Sequence, residues 1–329
     1  MAKSGGKGRG SGEPLPRGLK PMLATAGTLP REEGAWSYEV KWDGVRALVA
    51  VEDGALTLTS RNGNDLTASY PELTGLATDL SGRSVLLDAE VVAFDEAGRT
   101  DFGRLQGRMH VSRPGAALLA STPVQLLVFD LLHLDGKSLL STSYDGRRSA
   151  LESLHVEGRH WSVPPSFAEG QDLLDVTRAQ GLEGVIAKRR DAAYTPGRRS
   201  DCWLKLKHIR RTSALVAGWK PGEGGRSGQI GSLLLGQHGP AGLEYVGHVG
   251  TGFTAATLAM LSDRLMPLRR PDSPFAAAIP RMYAKDAVWA RPVLVVDVDY
   301  TEWTKDGRLR HPSYKGVRDD VQAAAVVRE

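Results

Sequence analysis

The stretch Tyr38-Glu39-Val40-Lys41-Trp42-Asp43-Gly44-Val45-Arg46 decides the interpretation of the fold. It passes from a strand-like segment into an Asp-Gly turn, which predicts the amine of Lys41 at the end of a sheet. A lysine amine attacks only when uncharged, so its reference pKa of about 10.4 must fall by about 3 at neutral pH. Burial beside other cations has that effect, and Lys188, Lys205 and Lys207 supply them if their strands converge on Lys41. A solvated lysine before an ordinary turn is the alternative.

Short Val-, Leu- and Ile-rich runs bounded by Gly, Asp and Pro surround this stretch and predict strands. They cover residues 36–41, 45–51, 55–60, 85–94, 124–129, 184–188 and 203–207. Asp53-Gly54 predicts a hairpin between two of them, and Asn62-Gly63 predicts another turn. Helical spacing at 147–154 and 172–180 adds two helices. These patterns predict an α+β domain with an antiparallel sheet.

The pattern changes after residue 211. Strands are predicted at 214–219, 230–235, 243–248 and around 293–300, with one helix at 254–265. Five or so strands with one helix predict a small all-β barrel. The first domain is therefore predicted over residues 19–210 and the second over 211–329. Residues 1–18 are rich in Gly, Ser and Pro and predict a disordered basic tail.

Composition sets the class of protein. The 329 residues are 41% hydrophobic and 24% charged, which excludes fibrous, collagenous and wholly disordered proteins. No window is apolar enough for a membrane span or a signal peptide, so a cytosolic location is predicted. The single cysteine, Cys202, excludes an internal disulfide and a thiolate zinc site, so any metal is expected on oxygen ligands.

Charge is distributed unevenly along the chain. The formal net charge is only +4, from 42 Lys and Arg against 38 Asp and Glu. The segment from Lys188 to Arg211, however, carries nine basic residues and only two acids, Asp191 and Asp201. Such a cluster attracts phosphates, although a solvated basic face is the commoner meaning of a basic run.

Five further segments follow Lys41-Trp42-Asp43-Gly44 in order. They are Ser60-Arg61-Asn62-Gly63, Asp88-Ala89-Glu90, Val128-Phe129-Asp130, Glu183-Gly184-Val185-Ile186-Ala187-Lys188 and Trp203-Leu204-Lys205-Leu206-Lys207. In these segments the chain resembles the nucleotidyltransferase superfamily of ATP-dependent DNA ligases, RNA ligases and mRNA capping enzymes. Residues 21–24, 39–44 and 299–312 resemble DNA ligases, above all small bacterial ones similar to the ligase module of non-homologous end joining. The resemblance covers residues 20–325 and implies an adenylation domain followed by an OB-fold.

The resemblance also implies a set of site residues. Lys41 is the implied catalytic nucleophile. The implied nucleotide contacts are Glu39, Val40, Lys41, Arg46, Arg61, Glu90, Phe129, Glu183, Lys188, Lys205, Lys207 and Arg318. Glu90 and Glu183 are expected to hold Mg²⁺, or Mn²⁺ in its place, while Asp88 stays open between a metal ligand and a capping or surface acid. Many family members carry a lysine after the aspartate of the last motif; this chain has Asp320 and then Val321, so Arg308 or Arg310 is the alternative to Arg318.

Each implied role has a physical reason and an alternative. Glu39 lies two residues before Lys41, on the same side of the strand, and its carboxylate suits the amine of adenine, where guanine has a carbonyl. Phe129 stacks on a base or fills the core. The lysines neutralise phosphates or form a solvated face, and Arg46 and Arg61 have the fork that binds phosphate oxygens.

The implied reaction is three phosphoryl transfers: AMP from ATP to Lys41, then to the 5′-phosphate of a nick, and finally its displacement by the 3′-hydroxyl. The expected partner is nicked duplex DNA, held through its phosphates, with repair proteins as further partners, no membrane and a monomeric state. The expected location is the bacterial cytosol and nucleoid, and the repair pathway is open. A GTP-using capping enzyme, an RNA ligase and a catalytically silent nucleic-acid-binding module are the alternatives.

Overall fold

A computed structural model describes residues 12–222, 229–304 and 306–328 of the chain. The chain divides into two compact units, Met1–His208 and Ile209–Glu329. This division lies two residues before the one predicted from the sequence. The fold class predicted from the sequence, an antiparallel α+β unit followed by an all-β unit, is confirmed. Among the described residues, no helix combines the length and apolar character that crossing a membrane requires.

The described part of the first unit, residues 12–208, contains ten strands and five α-helices. The strands are β1 (Leu23–Ala26), β2 (Trp36–Val40), β3 (Val45–Glu52), β4 (Ala55–Ser60), β5 (Val85–Val92), β6 (Gln125–Leu134), β7 (Lys137–Ser138), β8 (Trp161–Ser162), β9 (Gly184–Arg189) and β10 (Arg199–Lys207). The helices are α1 (Leu76–Asp79), α2 (Phe102–Gln106), α3 (Ala116–Ser121), α4 (Tyr144–Glu152) and α5 (Gly170–Ala179), with short 3₁₀ turns at Glu33–Ala35, Thr67–Ser69 and Pro71–Gly75.

These strands form two sheets. One has the order β1-β10-β9-β2, with β1 parallel to β10, and the other has the order β4-β3-β5-β6-β7, with β8 parallel to β6. The predicted hairpin at Asp53-Gly54 joins β3 and β4, and both residues have the positive φ of that tight turn, 51° and 77°. An apolar cluster that includes Met22, Leu48 and Trp203 draws residues from both sheets.

Part of the segment predicted as a disordered tail, residues 1–18, contacts the first unit. Residues 1–11 lie outside the described residues, but residues 12–18 pack on the first unit. Leu15 is 7% exposed, and the Glu13 N–H donates to the Gly136 carbonyl at 2.7 Å. Composition alone missed this contact because one leucine between Pro14 and Pro16, which favour extended backbone, is enough to insert an apolar anchor.

The second unit is a seven-stranded antiparallel sheet. Its strands are β11 (Arg210–Pro221), β12 (Ile230–Gly239), β13 (Gly242–Val249), β14 (Arg269–Arg270), β15 (Val288–Ala290), β16 (Val295–Tyr300) and β17 (Ser313–Val317), with helices α6 (Ala255–Leu265) and α7 (Arg281–Ala284) and 3₁₀ turns at Met266–Leu268 and Ala323–Ala325. The long strand β11 pairs with β12, β15 and β16, so one strand serves both sides of the curled sheet. This is how a small OB-type barrel closes. The sheet thus has seven strands where five or so were predicted, and the short strands β14, β15 and β17 lie outside the predicted segments.

Candidate active site

Lys41 lies immediately after β2, at the end of the four-stranded sheet. Its N–H donates to the Gly184 carbonyl at 2.9 Å, which extends the pairing of β2 with β9 by one residue. Two glycines allow this close packing: a Cβ on Gly184 would lie 2.1 Å from the Leu206 carbonyl, and a Cβ on Gly44 would lie 2.3 Å from the Val91 carbonyl. The predicted display of Lys41 at a sheet end is therefore what the structure contains.

A cavity of about 280 Å³ opens beside Lys41 within the first unit. It is lined by Leu23, Ala24, Glu39, Val40, Lys41, Trp42, Arg46, Arg61, Glu90, Phe129, Ile186, Lys188, Arg199, Trp203, Lys205 and Lys207. The lining has seven basic side chains and two carboxylates, which suits a polyanionic ligand. Ten of the twelve predicted nucleotide contacts line it; Glu183 and Arg318 do not.

Glu183 connects two of the lysines. Its carboxylate forms ion pairs with the Lys41 ammonium and, at 2.6 Å, with Lys207 Nζ. Burial raises the pKa of Glu183, but Lys41 and Lys207 outweigh burial and lower it below its usual value. The direct partner of Lys41 is thus a carboxylate, not the ring of cations expected from the sequence. Burial lowers the pKa of Lys205, and the neighbouring cations Lys207 and Arg199 lower it further.

Lys188 lies elsewhere in the cavity than predicted. Its Nζ is 2.8 Å from Glu39 Oε2 and donates to the Phe129 carbonyl at 3.1 Å, and the side chain is 1% exposed. The ammonium also lies 4.4 Å from the ring centroid of Trp203 and 4.6 Å from that of Phe129. Because Glu39 already balances its charge, the structure does not support the prediction that Lys188 neutralises phosphates.

Glu39 is buried beside Lys188 and is held from a second direction. The hydroxyl of Tyr144 donates to Glu39 Oε1 at 2.6 Å. Both carboxylate oxygens therefore have a protein donor, and each keeps a lone pair that can face the cavity. The aromatic wall next to this carboxylate is the edge-to-face pair of Phe129 and Trp203, whose centroids are 6.4 Å apart.

Asp88, left open from the sequence between a metal ligand and a capping or surface acid, is bonded to protein donors in the structure, which does not support the metal-ligand role. Asp88 is completely buried, and its two oxygens accept from Arg46 Nε and Nη2, both at 2.6 Å. The hydroxyl of Tyr194 donates to Asp88 Oδ2 at 2.5 Å. The physical reason is the strand register: β3 and β5 place Arg46 opposite Glu90 and diagonal to Asp88, on the same sheet face.

Of the three carboxylates considered as metal ligands, Glu90 is the one that lines the cavity. Burial raises its pKa from 4.5 to about 8, and the nearby charges of Arg46 and Lys41 only partly offset that effect. Among the described residues, no group of three or more acidic, histidine or cysteine side chains forms a metal cage. Glu90 and Glu183 are the predicted metal ligands that remain.

Two predicted arginines differ in their surroundings. Arg61 follows β4 and lines the cavity as an exposed side chain. Arg318 lies in the second unit, where Asp320 accepts from Nε and Nη2, both at 2.8 Å, and Asp297 accepts from Nη1 at 3.0 Å. Val321, which follows Asp320, packs against an apolar cluster.

Neither alternative to Arg318 belongs to the cavity lining. The Arg308 guanidinium lies 5.7 Å from the ring centroid of Tyr245, and Arg310 forms an ion pair with Glu302.

Sequence reasoning missed several site residues. Tyr144, Tyr194 and Trp203 support or line the cavity, and Leu23 and Arg199 reach it from β1 and β10. The sequence predicts Trp203 and Tyr194 only as aromatic residues of the core, because no neighbouring residue in the sequence indicates which charged groups they contact. Leu23 had no strand signal of its own.

Comparison with known proteins identifies close relatives. Residues 21–207 match the ATP dependent DNA ligase domain, and residues 226–321 match the ATP dependent DNA ligase C terminal region. The multifunctional non-homologous end joining DNA repair protein LigD of Mycobacterium tuberculosis is 44% identical over 313 residues, which are 94% of this chain and 40% of that protein. DNA ligase C1 of Mycolicibacterium smegmatis is 37% identical over 315 residues, which are 91% of this chain and 89% of that protein. The solved structure of mycobacterial DNA ligase D complexed with ATP and MES is 42% identical, with a TM-score of 0.56, and covers 94% of this chain and 98% of that one.

Proposed function

Because this chain belongs to the ATP-dependent DNA ligase family, we propose that it seals nicks between a 5′-phosphate and a 3′-hydroxyl in duplex DNA. The reaction runs through AMP bound covalently to Lys41 and then through a DNA-adenylate. The observation that carries the proposal is Lys41 at the edge of a cavity with an adenine-compatible end at Glu39 and a cationic side at Lys205 and Lys207.

The first step is nucleotide capture. Lys41 passes one proton to the Glu183 carboxylate that it contacts, and the resulting amine attacks the α-phosphorus of ATP. A P–N bond forms, the bond from that phosphorus to the oxygen bridging to the β-phosphate breaks, pyrophosphate leaves, and the second proton goes to solvent. The contact with Glu183 holds Nζ in place, and Lys205 and Lys207 offset the charge on the phosphate oxygens. Positioned charges, rather than further covalent groups, are what phosphoryl transfer needs.

Mg²⁺, or Mn²⁺ in its place, fits the carboxylates of this site. Glu90 and Glu183 supply hard oxygen ligands, and Mg²⁺ in nucleotide sites is commonly held by one or two carboxylates together with substrate phosphates. When bound, the ion neutralises phosphate charge. Burial raises the pKa of Glu90, and a cation held beside it would favour the ionised carboxylate, with the proton released to solvent.

The base end of the cavity favours adenine. Glu39 can accept a hydrogen bond from the exocyclic amine, and Lys188, which donates to Glu39 and to the Phe129 carbonyl, has a third N–H for the adjacent ring nitrogen. Guanine presents a carbonyl and an N–H in the reverse order, so it would face the carboxylate with an acceptor. This pattern supports ATP over GTP as the substrate.

The repair context rests on relatives. The chain spans 40% of the length of the mycobacterial LigD proteins, whose name states a role in non-homologous end joining. We propose the same pathway for this ligase, acting in the bacterial nucleoid as a monomer recruited by other repair proteins. DNA contacts are expected mainly on backbone phosphates, since a nick sealer accepts any sequence.

The test is covalent labelling with α-labelled ATP and, separately, α-labelled GTP, in the presence of Mg²⁺. We expect label from ATP only, its loss in Lys41→Ala, and its transfer into sealed strand when nicked duplex DNA is added. Label from GTP would indicate a capping enzyme. A folded protein that takes no label from either nucleotide would rule out the ligase proposal in favour of a nucleic-acid-binding module.

A further inference from the structure

Tyr194 is a buried residue near the cavity to which neither the motifs nor the proposed reaction assign a role. It lies between β9 and β10, is 3% exposed, and packs edge to face against Trp203 with centroids 5.6 Å apart. Its hydroxyl donates to Asp88 Oδ2 at 2.5 Å and accepts from the Met22 N–H at 2.9 Å. One hydroxyl thus joins β5 to the residue that precedes β1.

The same two partners also hold Arg46. A guanidinium has five N–H donors. Nε and Nη2 each donate to Asp88 at 2.6 Å, and Nη2 also donates to the Met22 carbonyl at 3.2 Å. The two N–H groups of Nη1 have no hydrogen-bond partner among the residues that the structure describes, and Arg46 lines the cavity.

These hydrogen bonds change the role expected of Arg46. Its Nε–Nη2 edge, the one suited to a bidentate phosphate contact, is occupied by Asp88, so a ligand can be bound only through Nη1. The direction of Nη1 depends on the placement of Asp88 and of the Met22 carbonyl, and the Tyr194 hydroxyl is bonded to both residues. Burial and the Asp88 carboxylate raise the pKa of Tyr194 well above its usual value, so the hydroxyl keeps its proton.

We propose that Tyr194 is a positioning residue, which acts through Asp88 and Met22 to aim the Nη1 side of Arg46 at a phosphate in the cavity. The inference rests on the proposed function, because that phosphate belongs to ATP or to the adenylated 5′ end of the nick. It assigns to Asp88 a role in orienting Arg46, in place of the metal-ligand role left open from the sequence.

The test is Tyr194→Phe, which removes the hydroxyl and keeps the ring. Two single-turnover rates are measured: formation of lysyl-AMP, and sealing of a pre-adenylated nick. We expect about tenfold slowing in whichever step Arg46→Ala slows more, since small misplacement of a catalytic contact costs up to about a hundredfold. In the Arg46→Ala background the phenylalanine should have no further effect, as for two residues acting through one contact.

Tyr70→Phe is the matched control. Tyr70 is fully buried in the same unit, and its hydroxyl has no hydrogen-bond partner among the described residues, so both rates should equal those of the wild type. Wild-type rates in Tyr194→Phe, a loss that persists at full size without Arg46, or equal losses in both phenylalanine variants would each overturn the inference.

A second variant covers the case in which Tyr194→Phe does not fold. Asp88→Asn keeps the shape of the side chain and removes the charge that orients Arg46, so it should slow the same step and again add nothing to Arg46→Ala. Independent, additive losses would overturn the inference. A wild-type protein that forms no lysyl-AMP would overturn the proposed function and this inference together, whereas an active wild type with an unaffected Tyr194→Phe overturns the inference alone.

Discussion

At the scale of single residues, the two carboxylates predicted to hold a metal, Glu90 in the cavity lining and Glu183 beside Lys41, have pKa values shifted in opposite directions. Glu183 is held ionised between Lys41 and Lys207, while burial raises the pKa of Glu90 to about 8. Two glutamates in one site therefore have different charges near neutral pH, as a result of their neighbours alone.

The raised pKa of Glu90 predicts how the free energy of unfolding changes with pH. Its pKa in the folded protein, about 8, lies above its ordinary value of 4.5, so between these values the folded state binds more protons than the unfolded state. The contribution of Glu90 to the free energy of unfolding therefore falls as pH rises through this window. Glu90→Gln removes that dependence, so the stability of the variant relative to the wild type should rise from pH 5 to pH 8. Urea unfolding at both pH values measures it, and a constant difference would contradict it.

The position of Glu39 predicts which nucleotide the cavity prefers. Glu39→Gln keeps the size of the side chain but presents an amide that both donates and accepts, so guanine is no longer rejected by a carboxylate. We expect the preference for ATP over GTP in lysyl-AMP or lysyl-GMP formation to fall at least about tenfold, which corresponds to about 1.4 kcal/mol. Glu52→Gln, on the exposed end of β3, is the control and should keep the wild-type preference. An unchanged preference in Glu39→Gln would show that base selection lies elsewhere.

At the scale of elements, sequence patterns located most strands and left out those without local signals. The strand at 55–60 is predictable because its buried residues alternate, the strand at 45–52 because it is a Val-rich run buried on both faces, and the turn between them because of Asp53-Gly54. β1 was not, because its four residues are at most half-buried and its partner β10 is remote in sequence. The convergence of Lys41, Glu90 and Phe129 followed from motif resemblance, whereas the pairing of Arg46 with Asp88 required the register of β3 and β5.

The packing of the segment before β1 predicts a contribution to stability. Leu15 is buried in a cluster with Met22, Leu48 and Trp203, so Leu15→Ala removes apolar contacts that composition alone did not predict. The free energy of unfolding should fall by about 2 to 3 kcal/mol. Val176→Ala, at a position 51% exposed on α5, is the control and should change stability by less than about 0.5 kcal/mol. Equal, small effects in both variants would mean that residues 12–18 do not pack in solution.

At the scale of the whole molecule, the cavity belongs to one unit. Every lining residue precedes residue 208, the end of the first unit. On the proposed function, a protein of residues 1–208 keeps the whole lining, so it should bind ATP with a Kd within about threefold of that of the full chain. A threefold difference in Kd corresponds to less than about 1 kcal/mol. Calorimetric titration of both proteins measures this, with Lys205→Ala in each as the control for weakened binding. Loss of binding in residues 1–208 would show that the second unit contributes to the affinity.

The pairing of β1 with β10 also affects how the protein is made. Leu23 pairs with Arg199, and β2, which leads into Lys41, pairs with β9 and, at Tyr38, with Phe167. A ribosome that has just synthesised the Lys41 segment has not yet made the strands that hold it, and contacts between such distant residues form late in folding. The nascent chain therefore carries its nucleophile without a binding site until residue 207 has left the exit tunnel. On the proposed function, nucleotide capture therefore begins only after the ribosome has made the entire first unit.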